Sequence, residues 1–392
     1  MTATKVTPTR EDLLTAARGL QDCLREFADY GDTHRRTADE VISALTEAGM
    51  FRLFTPRLYS GYEVDLGTIL EITEILGEAD GSAAWLVGIA AAAAWVAAHA
   101  PTQALDEVFG TDPDSRIAGG GAGAGTGRLV DGDVMVTGRW SYASGSLHAS
   151  WAGVMTTIGG EGSQPTEIAF CLMPIGDVQV EDTWHTAGLR GTGSNTLIAT
   201  DVFVPEHRII PISLLTEESS SSLGPLYRLP FRVIGASVLG PLLGIGKAAL
   251  AHVVDATAFK GVPMTVFQTQ RESVGVQLQV ADAALKLQTA RLHAQSVAVT
   301  VMRHAVTAQP LDARYRAQAS AETAYAGQQI LAAANGLLTV HGSGGLADAN
   351  PLQRLVRDIS TGTRHAGLNA TVSNEVFGKA LLGIPEQIMP TL

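Results

Sequence analysis

The apolar residues of this chain recur at helical spacing in two long blocks, and a different pattern separates the blocks. From Asp12 to His99 and from Gly235 to Leu382 the apolar positions follow the period of an α-helix. Between Leu129 and Arg208, valines and Trp140 recur among turn residues such as Asp131-Gly132, which is typical of short strands joined by tight turns. The pattern predicts a β-module between two helical blocks.

The first helical block divides into recognisable elements. Glu11 to Ala48 is predicted to form two amphipathic helices, whose polar face carries His34-Arg35-Arg36 and is expected to be solvated. Met50 to Asp65 contains proline and glycine and is predicted to be a connector. Leu66 to Asp80 is predicted to be helical, and Ser82 is predicted to cap the start of the next helix.

One stretch of the first block resembles a membrane span in length and hydrophobicity. Gly81 to Leu105 contains no Asp, Glu, Lys or Arg, and it is long enough to cross a bilayer. It is rich in alanine, however, and has neither an aromatic belt nor a basic flank. The composition therefore favours a helix buried inside a protein, which is also apolar on all sides.

A glycine-rich stretch precedes the β-module, and a second helical block follows it. Ile117 to Leu129 lacks the Gly-Lys-Ser/Thr of a P-loop and is followed by a β-like segment, so we interpret it as a flexible or tightly turning connection. Thr216 to Gly224 is a polar linker. An up-and-down helical bundle is then predicted from four segments, Ala236–Phe259, Thr269–Ala308, Ala313–Val340 and Pro351–Leu382.

Composition excludes several classes of protein. The 392 residues are 46% hydrophobic and 17% charged, which indicates a globular chain, and the net charge of -12 argues against nucleic-acid binding. Cys23 and Cys171 form no motif, and the N-terminus lacks the apolar core of a signal peptide, so a cytoplasmic location is expected. The ten histidines form no HExxH pair or Cys/His cluster, so no metal site is expected.

Four segments, in order, resemble the acyl-CoA dehydrogenase superfamily: HRRTADEVISALTEAGMFRLFTPRLYSGYE, GRWSYASG, LRGTGSNTLIATDVFVPEHR and HGSGGLADANPLQRLVRDISTGTRHAGLN. The resemblance covers nearly the whole chain. It implies an α+β, mostly α, acyl-CoA dehydrogenase-like fold. In that fold residues 1–112 form an N-terminal helical domain, residues 113–215 a central β-barrel and residues 216–392 a C-terminal four-helix bundle.

The resemblance also separates two chemistries. Acyl-CoA dehydrogenases need a carboxylate base, and the two places where the superfamily puts it hold Ala366 and Phe231 here. Two-component (group D) flavin-dependent monooxygenases carry GRW-x-x-x-SG and a late His-Ala-x-Leu-Asn, which occur here at Gly138 to Gly145 and His365 to Asn369. The resemblance therefore implies the oxygenase component of such a monooxygenase. Such an enzyme hydroxylates its substrate through a flavin C4a-hydroperoxide.

By this resemblance, Ser144 and His365 are the catalytic residues. Ser144 is expected near flavin N5, and His365 near C4a, where an imidazole manages the hydroperoxide proton. Further flavin contacts are expected from Tyr142, Ser144, Gly145, Trp184, Gly191, Thr192 and Ser194. Alternatives remain open: Trp184 packs the β-module, Tyr142 lies on one face of a strand, Gly191 to Ser194 is a hairpin turn, and His365 is a structural helix residue.

The expected substrate is a small apolar molecule. Phenol-hydroxylating relatives often carry a histidine shortly before a tryptophan of the buried N-terminal helix, and this chain has Ala94 before Trp95. The absence of this histidine argues against a simple phenol as the substrate. Ala94 and Trp95 are therefore predicted to line an apolar pocket for an indole, a fused aromatic or a terpenoid-like compound.

The resemblance implies cofactors and partners as well. The cofactor is reduced FAD or FMN, with FAD favoured, supplied by a separate NAD(P)H:flavin reductase, and O2 is the co-substrate. A homotetramer or homodimer packed through the C-terminal helices is expected, with Lys260 and Arg271 near the place where relatives hold the flavin phosphate. The alternatives are an acyl-CoA dehydrogenase, a nitrogen- or sulfur-oxygenating relative, and a non-catalytic flavin-binding scaffold.

Overall fold

Helices form both ends of the chain and a mixed sheet forms its middle. The computed structural model describes residues 7–159, 167–216, 223–385 and 388. The helices are α1 Arg10–Gly19, α2 Gln21–His34, α3 Asp39–Glu47, α4 Leu66–Gly77, α5 Gly81–Ala97, α6 Thr102–Phe109, α7 Ile212–Thr216, α8 Phe231–Ile234, α9 Leu239–Ala256, α10 Val274–Thr307, α11 Ala313–His341, α12 Pro351–Gly362 and α13 Ala370–Leu382. The strands are β1 Ile117–Gly120, β2 Ala122–Val130, β3 Asp133–Ala143, β4 Trp151–Gly159, β5 Glu167–Pro174, β6 Gln179–Glu181, β7 Asn195–Val204 and β8 Ile209–Pro211.

The N-terminal block differs from the prediction in two details. The segment predicted as two helices contains three, because the chain kinks at Leu20 between α1 and α2, and Arg35 takes a left-handed conformation (φ 56°) that ends α2. The predicted cap of α5 is also wrong. Asp80, two residues before Ser82, is the cap, and its carboxylate accepts the Ser82 N–H at 2.9 Å.

Helix α5 is buried on nearly all sides, as its composition predicts. Every residue from Gly81 to Ala100 is buried except five. These five are half-buried: Ile89, Ala90, Ala92, Ala93 and, beyond the end of the helix, His99. A second stretch, Phe231–Ala256, is apolar and long enough to cross a membrane, but 78% of its most apolar window is buried inside the protein. Burial in the shared core therefore accounts for the hydrophobicity of both segments.

The two helical blocks share one hydrophobic core, which extends from Leu13 to Leu368. Glycines allow α4 and α9 to approach closely. A Cβ on Gly240 would lie 2.0 Å from the Thr73 Oγ1, and a Cβ on Gly244 would lie 2.1 Å from the Glu74 carbonyl oxygen. The N-terminal block thus packs against residues that follow the β-module in sequence.

The β-module is an eight-stranded sheet in the order β6-β7-β3-β2-β4-β5-β8, with β1 paired in parallel to β4. The prediction for the glycine-rich stretch is wrong, because it forms β1 and β2 instead of a turning connection. Its glycines leave space for the buried ring of Trp140, since a Cβ on Gly125 would lie 2.1 Å from that ring. The Trp140 Nε1–H donates to the Met155 carbonyl at 2.7 Å, which fixes the ring in that space.

The C-terminal block contains one more helix than predicted. The predicted fourth segment is two helices, α12 and α13, separated by residues 363–369, and His365 lies in the break. The predicted polar linker falls mostly on residues 217–222, which lie outside the described residues. The break matters because it removes His365 from a regular helix.

The three parts of the chain meet at Asp358 of α12. Its Oδ1 accepts the backbone N–H of Leu189, in the loop between β6 and β7, at 2.5 Å. A Cβ on Gly81, the first residue of α5, would lie 3.5 Å from the other carboxylate oxygen. Burial, followed by the nearby Asp80, raises the pKa of Asp358 to about 7, and burial raises the pKa of Asp80 to about 6.

This raised pKa predicts how Asp358 affects stability. The folded protein holds a proton that the unfolded chain releases near pH 4, so the contribution of Asp358 to stability falls as the pH rises toward about 7. Asp358→Asn keeps an oxygen acceptor for Leu189 but cannot ionise. The thermal unfolding midpoint of this variant should therefore decrease less between pH 5 and pH 8 than the midpoint of the wild-type protein.

The matched control is Asp348→Asn, which removes an exposed carboxyl just before the same helix. Its midpoint should follow the wild-type pH dependence. Parallel pH curves for Asp358→Asn and the wild-type protein would contradict the assignment.

Candidate active site

Ser144 lies just beyond the end of β3, where the strand loses its regular pairing. The register between β3 and β7 shifts between Trp140 and Ala143. Tyr142 (φ 66°) and Gly145 (φ 78°) are both left-handed, so the backbone reverses sharply around Ser144. The Gly145 N–H donates to the Thr192 carbonyl at 2.9 Å, which attaches this turn to the loop before β7.

A chain of hydroxyl groups starts at Ser144. The Ser144 Oγ lies 2.8 Å from the Ser194 Oγ, which lies 2.7 Å from the Thr192 Oγ1. The Thr192 hydroxyl donates to the Leu189 carbonyl at 2.7 Å. The N–H of the same residue, Leu189, donates to Asp358, so Leu189 links the hydroxyl chain of Ser144 to α12.

Tyr142 and Trp184 form an aromatic pair beside this chain. Their ring centroids are 6.1 Å apart with the rings nearly perpendicular, and Tyr142 is 64% exposed. The Trp184 Nε1–H donates to the Leu189 carbonyl at 2.9 Å, and the Asn195 side chain accepts the Trp184 backbone N–H at 3.0 Å. Trp184 is therefore held in place while its partner Tyr142 faces outward.

Gly191 belongs to a single turn of 3-10 helix, Arg190–Thr192, and the hairpin alternative for this segment is wrong. The turn is flanked by left-handed Leu189 and Gly193. Thr37 donates its N–H to the Gly191 carbonyl at 2.7 Å and its hydroxyl at 2.9 Å. A Cβ on Gly191 would lie 2.9 Å from the Ser82 Cβ, so only glycine allows α5 to approach so closely.

His365 precedes a short 3-10 turn, Ala366–Leu368, after the end of α12. Its Nδ1 accepts the Gly367 N–H at 3.2 Å, so the neutral ring carries its proton on Nε2. Burial lowers the pKa of His365 below its ordinary value, which favours the neutral ring near pH 7. The edge of the ring meets Trp85 of α5, with centroids 5.5 Å apart.

Helix α5 contacts both His365 and the turn that holds Ser144. Consecutive residues of the helix contact the two sites: Trp85 touches His365, and the Leu86 side chain would lie 3.3 Å from a Cβ on Gly145. The two catalytic candidates, which are more than 200 residues apart in sequence, therefore flank one turn of one helix.

Ala94 and Trp95 lie elsewhere on α5. Both are buried, and the Trp95 Nε1–H donates to the Leu226 carbonyl at 3.0 Å. The Trp95 ring packs against His99 and Phe231, so it forms part of the core. The half-buried residues of the helix are instead those around Ala90.

A small cleft beside Ser144 contains two charged or titratable residues that sequence reasoning missed, Arg116 and His148. Burial lowers the pKa of both, that of His148 to about 4. The Arg116 Nε–H donates to the His148 carbonyl at 2.7 Å. No motif marks either residue: the pairing of β1 with β4 brings Arg116 to this turn, and His148 follows Ser144 in the turn itself, where its N–H donates to the Gly145 carbonyl at 2.9 Å. The remaining lining is mostly apolar: Ile42, Phe51, Leu86, Ala90, Ile117, Ala118, Gly145 and Ala149.

The predicted solvated surface at residues 34–36 is partly an anchor for the β-module. The Arg35 guanidinium donates to the Asp182 carboxylate at 2.8 Å, and Arg36 pairs with Asp39 beside His148. These contacts hold the end of α2 against the segment that leads to Trp184. The prediction of a purely solvated face is therefore wrong.

A cluster of one lysine and two histidines lies where α12 begins. The Lys260 Nζ donates to the His341 carbonyl at 2.6 Å and lies 3.1 Å from the His341 Nδ1, and the rings of His341 and His252 stack 5.5 Å apart. The buried His252 Nε2 has no hydrogen-bond partner in the part of the chain that the structure describes. Nitrogen donors without a neighbouring carboxylate partner suit an anion such as a phosphate. Arg271 is exposed nearby and donates to Thr257.

The two places where a dehydrogenase base is expected carry no acid. Ala366 is exposed in the turn after His365, and the Phe231 ring packs against Trp95 and Phe170. Among the described residues, no group of three or more His, Cys, Asp or Glu side chains is placed to hold a metal ion.

Comparison with known proteins identifies the family of the chain. A profile described as "Acyl-CoA dehydrogenase, C-terminal domain" matches residues 236–370. A "pigment production hydroxylase" of Rhodococcus sp. is 32% identical over 387 residues, which cover 96% of this chain and 98% of that protein. The "flavin-dependent monooxygenase, oxygenase subunit HsaA" of Mycobacterium tuberculosis is 29% identical, with 96% of each chain covered.

A solved structure, XiaF from Streptomyces sp. in complex with FADH2 and glycerol, matches with a TM-score of 0.93 and 31% identity over 98% of both chains. These relatives do not support the dehydrogenase or the non-catalytic scaffold alternatives. They confirm the fold and the class of enzyme that the sequence resemblance implies. The chain belongs to the acyl-CoA dehydrogenase superfamily and, within it, to the oxygenase components of two-component flavin-dependent monooxygenases.

Proposed function

We propose that this oxygenase hydroxylates a small apolar, aromatic or indole-like molecule at a site between Ser144 and His365. The observation that carries the proposal is that consecutive residues of α5 contact His365 and the turn of Ser144: Trp85 meets the His365 ring, and Leu86 lies beside Gly145 and lines the cleft with Ser144. Reduced flavin, supplied by a separate reductase, provides the electrons and the group that activates O2. The reductase uses NAD(P)H, and both components act in the cytoplasm.

Each residue has a distinct role in this proposal. Ser144 holds the flavin edge by a hydrogen bond at N5, and Gly145, Thr192, Ser194 and the Tyr142–Trp184 pair shape its surroundings. His365 presents its Nε2–H to the reacting oxygen and returns a proton there, which a neutral imidazole near pH 7 can do. Enclosure by α5 excludes water, which would divert the activated oxygen to peroxide.

The lining of the cleft supports the substrate class. Apart from Arg116, His148 and Ser144, its side chains are aliphatic or aromatic, and Ala90 leaves room that a larger residue would fill. Ala94 and Trp95 act through packing behind this surface. Such a lining favours a flat apolar ring over a charged sugar.

His365→Ala tests the proposed chemistry. The variant should fold and bind reduced flavin, but product formation should fall by about 10²-fold, the usual scale for losing a general acid–base group. Hydrogen peroxide should rise as product falls. The measurement is product and peroxide formed per O2 consumed, with reduced flavin and an indole probe.

His34→Ala is the control, since His34 stacks on Tyr30 away from the cleft. It should keep the wild-type ratio of product to O2. If His365→Ala also keeps that ratio, His365 is only a structural residue.

We further propose that the preferred flavin is FAD and that the cluster of Lys260, His252 and His341 binds its diphosphate. The unpartnered His252 Nε2 and the Lys260 ammonium support this. Helix α12, which is 12 residues long, separates this cluster from His365 by about 18 Å. A phosphate at the cluster therefore belongs either to an extended dinucleotide or to a flavin bound to another copy of the chain.

Lys260→Gln should weaken binding of reduced FAD by about tenfold or more, because it removes a charged donor to phosphate. Riboflavin, which has no phosphate, should bind equally to the variant and the wild-type protein. Lys247→Gln is the matched control, since Lys247 lies on α9 and pairs with Glu78 at 2.6 Å. Equal loss of affinity for FAD and riboflavin would refute a phosphate site.

The oxygenase is proposed to form a homo-oligomer through α10. Leu278, Leu285, Leu292, Val299 and Val306 are spaced seven residues apart along this helix, and each is between 55% and 67% exposed. A seven-residue apolar repeat is typical of a helix that packs along another helix. A second copy of the chain, as a homodimer or homotetramer, would cover this stripe.

Leu285→Glu should therefore reduce the molar mass in solution, because it places a charge in the apolar stripe. Light scattering coupled to size-exclusion chromatography gives the mass directly. Leu129→Glu, at an exposed leucine of β2, should leave the mass unchanged. An unchanged mass for Leu285→Glu would show that α10 is not the interface.

A further inference from the structure

The hydroxyl chain from Ser144 to Leu189 has a fixed direction of hydrogen bonding. A carbonyl oxygen only accepts, so the Thr192 hydroxyl must donate its one proton to Leu189 at 2.7 Å. The Thr192 Oγ1 can then only accept from Ser194 at 2.7 Å. Ser194 has now used its own proton, so it accepts from Ser144 at 2.8 Å. This is the one arrangement that makes all three hydrogen bonds.

Ser144 therefore cannot donate a hydrogen bond into the cleft. Towards a ligand in the cleft, the Ser144 Oγ can only accept, through its lone pairs. Ser194 is 4% and Thr192 1% exposed, so water does not readily replace either bond. The Leu189 carbonyl is itself held in place, because the Trp184 Nε1–H also donates to it at 2.9 Å.

Flavin N5 changes its hydrogen-bonding character with redox state. Reduced flavin carries a hydrogen on N5 and donates, whereas oxidised flavin has a lone pair there and accepts. We infer that Ser194 and Thr192 are specificity-determining residues that make Ser144 an acceptor and so select reduced over oxidised flavin. This inference rests on the proposed position of Ser144 at N5.

The cost of reversing the chain sets the size of the effect. For Ser144 to donate to oxidised flavin, it must withdraw its proton from Ser194, and one hydrogen bond of the chain is then lost whichever way the Ser194 and Thr192 hydroxyls rotate. The loss of one buried neutral hydrogen bond corresponds to about a 3- to 10-fold change in a binding ratio. The ratio of the wild-type affinities for reduced and oxidised flavin should therefore include this factor of about 3 to 10.

Two substitutions release the Ser144 proton in different ways. Ser194→Ala removes the acceptor for Ser144, so its hydroxyl is free to donate into the cleft. Thr192→Val removes the acceptor for Ser194, which then donates to Ser144 instead. In both variants the affinity for oxidised FAD should increase about 3- to 10-fold relative to the affinity for reduced FAD.

The experiment measures both dissociation constants with FAD as the probe. Oxidised FAD is titrated by fluorescence, reduced FAD is titrated anaerobically, and the midpoint potential of the bound flavin gives their ratio independently. The potential should fall in both variants. Thr192→Ser keeps the hydroxyl and should retain the wild-type ratio.

Ser146→Ala is the matched control. Ser146 is a buried serine of the same turn, and its hydroxyl donates to the Gly193 carbonyl at 2.9 Å outside the chain. It should also retain the wild-type ratio. A wild-type ratio in both Ser194→Ala and Thr192→Val, or an equal change in Ser146→Ala, would overturn the inference. Failure of the wild-type protein to bind either redox state of FAD would instead overturn the proposed function.

Discussion

The geometry of the candidate site depends on one hydrogen bond, from the Leu189 N–H to the buried carboxyl group of Asp358. The carbonyl oxygen of the same residue accepts the Thr192 hydroxyl and the Trp184 indole N–H. Leu189 therefore connects a C-terminal helix, through its N–H, to the turn that holds Ser144, through its carbonyl oxygen. Without an acceptor, the buried N–H would remain unsatisfied, and the packing of the loop against α12 would be destabilised.

The contact between the Leu189 loop and α12 also explains how residues from three regions of the chain come together at the candidate site. Gly188 lies so close to α12 that a Cβ there would be 2.1 Å from the Arg357 carbonyl oxygen. Gly362, at the end of that helix, similarly accommodates Trp85, whose ring faces His365. Small residues at these contacts let α5, α12 and the loop approach one another. The His365 ring and the turn that holds Ser144 then both pack against one turn of α5.

Sequence patterns were sufficient for the fold, whereas the roles of Ser144 and His365 stay predictions. The order of four resembling segments implied a β-module between helices, and the structure packs the motifs around Ser144 and His365 against one turn of α5. The patterns failed where a long-range contact decided the outcome. Glycines before Leu129 signal turns locally, but here they form strands because the Trp140 ring occupies the space beside them. Arg116 was missed because the pairing of β1 with β4 brings it beside Ser144, and His148, in the same turn as Ser144, was missed because no motif marks it.

The close contact between α4 and α9 has a consequence for synthesis of the chain. About 160 residues separate the end of α4 from the start of α9, so at about 5–20 residues per second the ribosome needs roughly 8–30 s to supply the second helix. During that interval the alanine-rich α5 has no C-terminal block to cover it. The nascent chain thus carries exposed apolar surface for seconds, and it completes its core only when the last third emerges. Chaperone binding during translation is the natural protection for such a chain.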